Sequence, residues 1–261
     1  MTKDRGLIFD EAPTLYDRYR PAYPAVAIDH MLGVAGLGSG ASVLEVGAGT
    51  GQLTVPLVRR GLVVTALEPA PRMAAMLRAK LRQSPVSTVI ERRFEDADLD
   101  APSFDAVVSA TAFHWVDEGR RYQLAGRVLR SGGALVLIRN DHVLSEGDAA
   151  YYEGVEPLYA KLAPEHGPPY KPPVEADLPP ACSSIPVDSG FEVVDAHRVA
   201  WDQPYSTTQL IGLLHTYSNH RALPARRRAA LMRSIRDFVD GELGGGFVDR
   251  YVTSTCVARP R

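Results

Sequence analysis

The sequence predicts an α/β fold: a seven-stranded, mostly parallel sheet with helices on both faces. Three observations carry this expectation. Short runs that are apolar throughout alternate with helix-period segments over residues 41–140. Strands without a polar side belong in a sheet covered on both faces. Two further strand-like runs, 191–201 and 247–257, lie later in the chain with helical sequence between them.

The elements follow in order. Residues 1–40 are a lead-in, with Tyr16, Tyr19 and Tyr23 beside Arg18 and Arg20, and with Pro21 and Pro24 ending any helix. A helix is expected over 26–32, before a glycine-rich stretch. Residues 41–140 form the core. Strands are expected at 42–46, 63–67, 86–90, 104–110 and 134–139. Helices fall at 53–60, 72–82 and 118–129, the second marked by Met73, Met76, Leu77 and Leu81 at helical spacing. The run Ser131-Gly132-Gly133 closes the third. Residues 141–190 read as an insert, a helix over 148–162 and then a proline-rich loop over 164–180. Residues 191–261 supply the last two strands. Helices at 207–221 and 224–243 lie between them, within an insert of 204–243, and Leu231, Ile235 and Phe238 form one face of the second. The lead-in and these inserts are expected to form a helical cap.

Composition excludes more than it identifies. A net charge of -2 gives no electrostatic case for nonspecific binding to nucleic acid or an anionic membrane. Arg226, Arg227 and Arg228 are adjacent and so point different ways on a helix, as on a solvated face. The N-terminus has no apolar signal region, and no run approaches the roughly 20 residues of a membrane span. Cys182 and Cys256 lack metal or redox spacing and read as reduced thiols of a cytoplasmic protein. No metal-ligand set is evident.

The informative segment is VLEVGAGTGQLT, residues 43–54. A strand runs into glycines at 47, 49 and 51 and then into a helix. Side chains there would block a ligand crossing the strand end, and the turn needs permissive φ values. A tight turn with no ligand would use the same residues. Glu68 ends the second strand, where a carboxylate can accept hydrogen bonds from both ribose hydroxyls of an adenosine. Two cofactors compete for such a site. Dinucleotide sites read G-x-G-x-x-G and set a pyrophosphate on the helix N-terminus. Here the spacing is G-x-G-x-G, position 52 is Gln, and acidic Glu95, Asp96 and Asp98 follow the third strand. That set suits an adenine amino group and a cofactor without phosphate, S-adenosylmethionine.

With VLEVGAGTGQLT, the segments ALEPAPRM, RRFEDADL, SFDAVVSATAFHWVD and RVLRSGGALVLI complete a set over residues 41–139. The set resembles the Rossmann-like class I methyltransferases, in particular the small-molecule group that includes trans-aconitate methyltransferase-like enzymes. The lead-in YDRYRPAYP is similar to that group's N-terminal segment. The resemblance implies that Glu45 and Gly47 lie beside the methionine part of S-adenosylmethionine, that Ala48 is among the cofactor-binding residues, and that Gly49 and Gly51 shape the loop. It implies that Glu68 binds ribose, that Pro69 and Met73 line the adenine site, and that Phe94 and Glu95 flank the adenine edge. Ser109 and Ala110 would sit near the sulfonium. Arg93 and Phe94 depart from the small or acidic residues usual at the third segment.

Methyl transfer is an in-line displacement, so the protein mainly aligns acceptor, methyl and sulfur and excludes water. His114 and Trp115 are candidates for the acceptor side, or else a packed helix start and a core ring. Tyr16, Arg20 and Tyr23 could close over the cofactor, or form a surface helix. Arg139, His142, His215, Tyr217, His220 and Arg221 are candidates to pair with an anionic acceptor, or to serve ordinary structural ends. The expected acceptor is a small molecule, methylated at oxygen. An Asn/Asp-Pro-Pro-aromatic segment for a flipped base is absent, as is a basic stripe. A nonenzymatic S-adenosylmethionine-binding protein and a nicotinamide-dependent oxidoreductase are the alternatives.

Overall fold

A computed structural model describes residues 10–145, 147–166 and 171–261. Residues 1–9 of the lead-in and 167–170 of the proline-rich stretch lie outside the described residues. The chain divides into two compact units. A sheet unit comprises Ala22–Asn140, Pro179–Val199 and Thr253–Arg261, and a helical unit comprises Met1–Pro21, Asp141–Leu178 and Ala200–Val252.

The sheet has seven strands. They are β1 Ser42–Val46, β2 Val63–Leu67, β3 Ser87–Ile90, β4 Phe104–Ala110, β5 Leu129–Val143, β6 Phe191–Ser206 and β7 Gly246–Pro260. Their order is β3-β2-β1-β4-β5-β7-β6. The pairs from β3 through β5 are parallel. Order reverses between β1 and β4, which makes the carboxyl ends of these two strands the topological switch point where α/β sheets bind ligands.

Alternation along each strand sends successive side chains to opposite faces. Val43, Val64, Ala106, Val108 and Val136 pack into one apolar cluster with Ile28 and Met31 of α2 (Ala25–Ala35), Leu57 of α3 (Thr54–Arg59) and Leu77 of α4 (Pro71–Lys80). Leu44, Val46, Leu67, Val107 and Leu135 pack on the other face with Leu124, Ala125 and Val128 of α5 (Arg121–Val128). Both faces are covered, as the unbroken apolar strands require.

In the helical unit α1 (Pro13–Tyr19), α6 (Ala149–Leu162), α7 (Thr207–Leu214) and α9 (Ala225–Glu242) share a third cluster, around Leu210, Leu231, Ile235 and Val239, and α8 is Ser218–Ala222. Small residues bring these helices close. A Cβ on Gly154 of α6 would come within 2.0 Å of the Phe238 ring, and one on Gly212 of α7 within 2.4 Å of Tyr19. Arg226 and Arg227 are exposed, and Arg227 pairs with Glu165.

Several expectations change. Ser131-Gly132-Gly133 is a bulge within β5, not a loop before it: Leu129 pairs with Phe104 and Ala134 with Ala106. Gly133 sits tightly there: a Cβ would lie 3.0 Å from the Arg130 carbonyl and 3.1 Å from that of Asp105. The helix expected over 207–221 is two helices. The Thr216 N–H and hydroxyl both donate to the Leu213 carbonyl, at 2.8 and 2.6 Å, which caps α7 before α8 begins. Strands β5, β6 and β7 all extend beyond their expected limits. The cysteines are not free thiols. Cys182 and Cys256 form a disulfide across 74 positions, with Cα atoms 5.3 Å apart. No local spacing could have announced it, and the argument from thiols to a reducing compartment falls with it. Among the described residues no helix is long and apolar enough to cross a membrane.

Candidate functional site: the ends of strands β1, β2 and β4

All the central site elements belong to the sheet unit. β1 ends in Glu45 and Val46, and the chain then turns through Gly47–Gly51 into α3. The amides of Gly47 and Ala48 donate to the Leu67 carbonyl at 2.9 and 3.0 Å, which ties the loop to the end of β2. Gly47 has φ +74°, and a Cβ there would meet the Ala112 Cβ at 2.4 Å. Only glycine fits that position on both counts.

Glu68 is 5% exposed. One carboxylate oxygen accepts from the Gly49 amide at 2.7 Å and the other from the Ala70 amide at 2.8 Å. Glu68 therefore holds the glycine loop against the second strand. Ser109, at the end of β4, donates its hydroxyl hydrogen bond to the Val46 carbonyl at 2.8 Å and joins β4 to β1.

Glu45 is fully buried, and neither carboxylate oxygen has a hydrogen-bond partner among the described residues. Burial pushes its carboxyl from 4.5 up to about 8; the Thr54 hydroxyl opposes this and the Glu68 charge adds to it. An unpartnered buried carboxyl is costly unless a proton or a cation accompanies it. The ammonium of an amino acid moiety would satisfy it. The residues present thus fit S-adenosylmethionine.

The remaining expected residues are distributed as follows. Met73 is buried and Pro69 half-buried beside Glu68 in sequence. The Phe94 side chain is packed in the second apolar cluster. One Glu95 oxygen accepts from the Asp117 amide at 2.7 Å, linking the turn after β3 to the segment after β4. His114 and Trp115 lie in a 3-10 turn with ring centroids 4.7 Å apart. Trp115 is 41% exposed, so it is not a core ring. Partial burial and the charge of Arg121 hold the His114 pKa below its ordinary value. Tyr23 shares a 2.9 Å hydrogen bond with the Thr111 hydroxyl. Thr111 has φ +53°, a strained conformation for a β-branched residue and one that clusters at functional sites.

Beyond β4 lies a cavity of about 250 Å³ whose lining includes Ala112, His114, Arg121, Arg139 and Ser254. Arg121 and Ser254 escaped the sequence reading. Nothing in their neighbourhood marks them until α5 and β7 bring them to one cavity.

Tyr16 and Arg20 belong to the helical unit. The Arg20 guanidinium lies 5.2 Å from the Tyr16 ring centroid and 4.5 Å from that of Tyr217, and it donates to the Thr216 carbonyl at 3.2 Å. His142 bonds Asp249 at 2.8 Å and the Tyr217 hydroxyl at 3.1 Å. His220 bonds the Tyr159 hydroxyl, and Arg221 pairs with Glu11. Burial, with Arg228 and Arg221 adding, keeps the His215 pKa below its ordinary value.

A strand, glycine loop and helix with an acid ending the second strand, set at a switch point, is the arrangement with which α/β proteins bind nucleosides. Residues 44–137 match the family model described as a methyltransferase domain. The chain is 35% identical over 237 residues to a relative in Mycobacterium tuberculosis carried under the name uncharacterized methyltransferase, covering 91% of this chain and 87% of the relative. It is 32% identical over 145 residues to the demethylmenaquinone methyltransferase of Tropheryma whipplei, covering 52% and 58%. A solved structure from Anaeromyxobacter dehalogenans, named for a type II methyltransferase, superposes with TM-score 0.65 at 24% identity, over 93% and 100% of the two chains. An S-adenosylhomocysteine complex of a methyltransferase from Geobacter sulfurreducens superposes with TM-score 0.54 at 14% identity, over 99% and 98%. These two structures bear on the fold alone. The chain belongs to the S-adenosylmethionine-dependent methyltransferases of the Rossmann-like class, and S-adenosylmethionine is its cofactor.

Proposed function

We propose that the enzyme methylates an oxygen atom of a small molecule held in the cavity beyond β4, within the small-molecule group that includes trans-aconitate methyltransferase-like enzymes. Ala112 is the observation that carries this reading: it lines the cavity and also packs on Gly47. The acceptor cavity therefore begins at the residue that closes the glycine loop.

S-adenosylmethionine supplies an electrophilic methyl on a sulfonium, which leaves as a neutral thioether. The protein's part is placement. Glu45, Gly47 and Ala48 would hold the methionine portion, with Gly49 and Gly51 shaping the loop. Glu68 would hold the ribose. Pro69, Met73, Phe94 and Glu95 frame the adenine, and Ser109 and Ala110 border the sulfonium. His114, kept neutral near pH 7, can accept the proton of a hydroxyl acceptor. A carboxylate acceptor needs no base.

Calorimetry with S-adenosylhomocysteine and with NADH tests the cofactor residues, and a library of small carboxylic acids, alcohols and phenols tests the acceptor. Tight S-adenosylhomocysteine binding, weakened at least about tenfold in Glu68→Ala, with product formed from an oxygen acceptor, is expected. Turnover confined to amines would overturn the choice of oxygen. Unchanged affinity in Glu68→Ala would remove Glu68 from the site.

A further inference from the structure

Arg121 is an incompletely satisfied cation at the edge of the cavity. Its side chain is 13% exposed, and among the described residues its ionic partner is Glu118, at 3.7 Å and 90% exposed. Its Nε is buried with no hydrogen-bond partner among the described residues. The guanidinium lies 5.2 Å from the Tyr122 ring centroid and 6.0 Å from that of Phe113, and both rings also line the cavity. The two rings hold it by a modest attraction and limit its motion. On β7, Ser254 borders the same cavity. It is 2% exposed, and its hydroxyl has no partner among the described residues. Buried polar atoms are nearly always paired, so two unpaired groups at one cavity mark the outline of a polar ligand. A planar cation with fixed donors matches a carboxylate, which can take two of its hydrogens at once.

We infer that Arg121 anchors an anionic group of the methyl acceptor, with Ser254 donating to the same ligand, so that the enzyme selects small organic acids over their neutral counterparts. This rests on the proposed function and narrows its acceptor. Arg121 is a specificity residue and takes no part in moving the methyl.

The test is equilibrium binding to the protein already saturated with S-adenosylhomocysteine. Succinate, benzoate and phenylacetate are titrated by calorimetry, each against its primary amide. At least one acid is expected to bind at least tenfold more tightly than its amide. Arg121→Gln is expected to lose at least tenfold in that affinity, with S-adenosylhomocysteine binding unchanged. Arg121→Lys should restore part of the loss, and Glu118→Gln should preserve or tighten acid binding. If none of the acids binds, if acid and amide bind alike, or if Arg121→Gln leaves acid binding intact, the inference is wrong. Retained S-adenosylhomocysteine binding reports that each variant is folded. Failure of the wild-type protein to bind S-adenosylhomocysteine would instead overturn the reading of the site on which the inference rests.

Discussion

At the scale of single residues, Glu45 makes the sharpest prediction. Its carboxyl is raised from 4.5 to about 8 by burial. A raised acid is protonated in the folded protein where it would be ionised in the unfolded chain. Its penalty is absent below about pH 4.5, grows as pH rises through the window, and is complete above about pH 8. Thermal unfolding of the ligand-free protein should therefore show falling stability from pH 5 to pH 9, with a flatter profile in Glu45→Gln. If the methionine ammonium lies beside Glu45, binding will ionise the carboxyl. Calorimetry near pH 7 in buffers of different ionisation enthalpy should then show release of about one proton, and none in Glu45→Gln. A buffer-independent enthalpy would separate Glu45 from the ligand. Gly47 gives a second test. Gly47→Ala places a methyl 2.4 Å from that of Ala112 in a left-handed conformation. A stability loss of about 1–3 kcal/mol is expected by chemical denaturation, together with weakened S-adenosylhomocysteine binding.

At the scale of elements, the disulfide links the irregular segment around Cys182 to β7. Ala181 and Ser184, on either side of Cys182, line the cavity, and the Tyr122 hydroxyl donates to the Ser184 carbonyl. A cross-link closing a loop of this length is worth about 2–4 kcal/mol, mostly against the unfolded chain. Cys256→Ser should lower the unfolding free energy by about that amount. S-adenosylhomocysteine affinity should change little, because the glycine loop and Glu68 lie on other elements. Thiol labelling after a dithiol reductant, with and without denaturant, checks that the bond exists. What the sequence revealed follows the same division. Strands β1 to β4 were legible because each is a short, mainly apolar run bounded by glycine, proline or polar residues. The bulge in β5 was not, because Gly132 and Gly133 signal a turn equally well when the partner strand is unknown. The break between α7 and α8 was hidden because Thr216 is an ordinary helix residue until its hydroxyl caps the carbonyl three residues back. Gly47 and Glu68 were marked by local spacing, and Glu45 by the resemblance of the segment that holds it. Arg121, Ser254 and the Cys182–Cys256 pair depend on contacts between distant segments, which periodicity cannot see.

At the scale of the whole molecule, the chain passes repeatedly between its two units, and the division falls inside β5, β6 and β7. A strand shared by both units cannot lose its pairing in one without fraying in the other. Unfolding should therefore be a single cooperative transition, which circular dichroism and tryptophan fluorescence would report at the same midpoint; Trp115 belongs to one unit and Trp201 to the other. Ligand binding to the sheet unit should then stabilise the entire chain. At a free concentration one hundred times its dissociation constant, S-adenosylhomocysteine adds about 2.7 kcal/mol. For a chain of this size that is a rise in Tm of about 5–10 °C. NADH should give no such rise, since no phosphate-binding spacing follows β1. Two separate transitions, with only one moved by S-adenosylhomocysteine, would show that the shared strands do not couple the units. A rise with NADH alone would contradict the cofactor assignment.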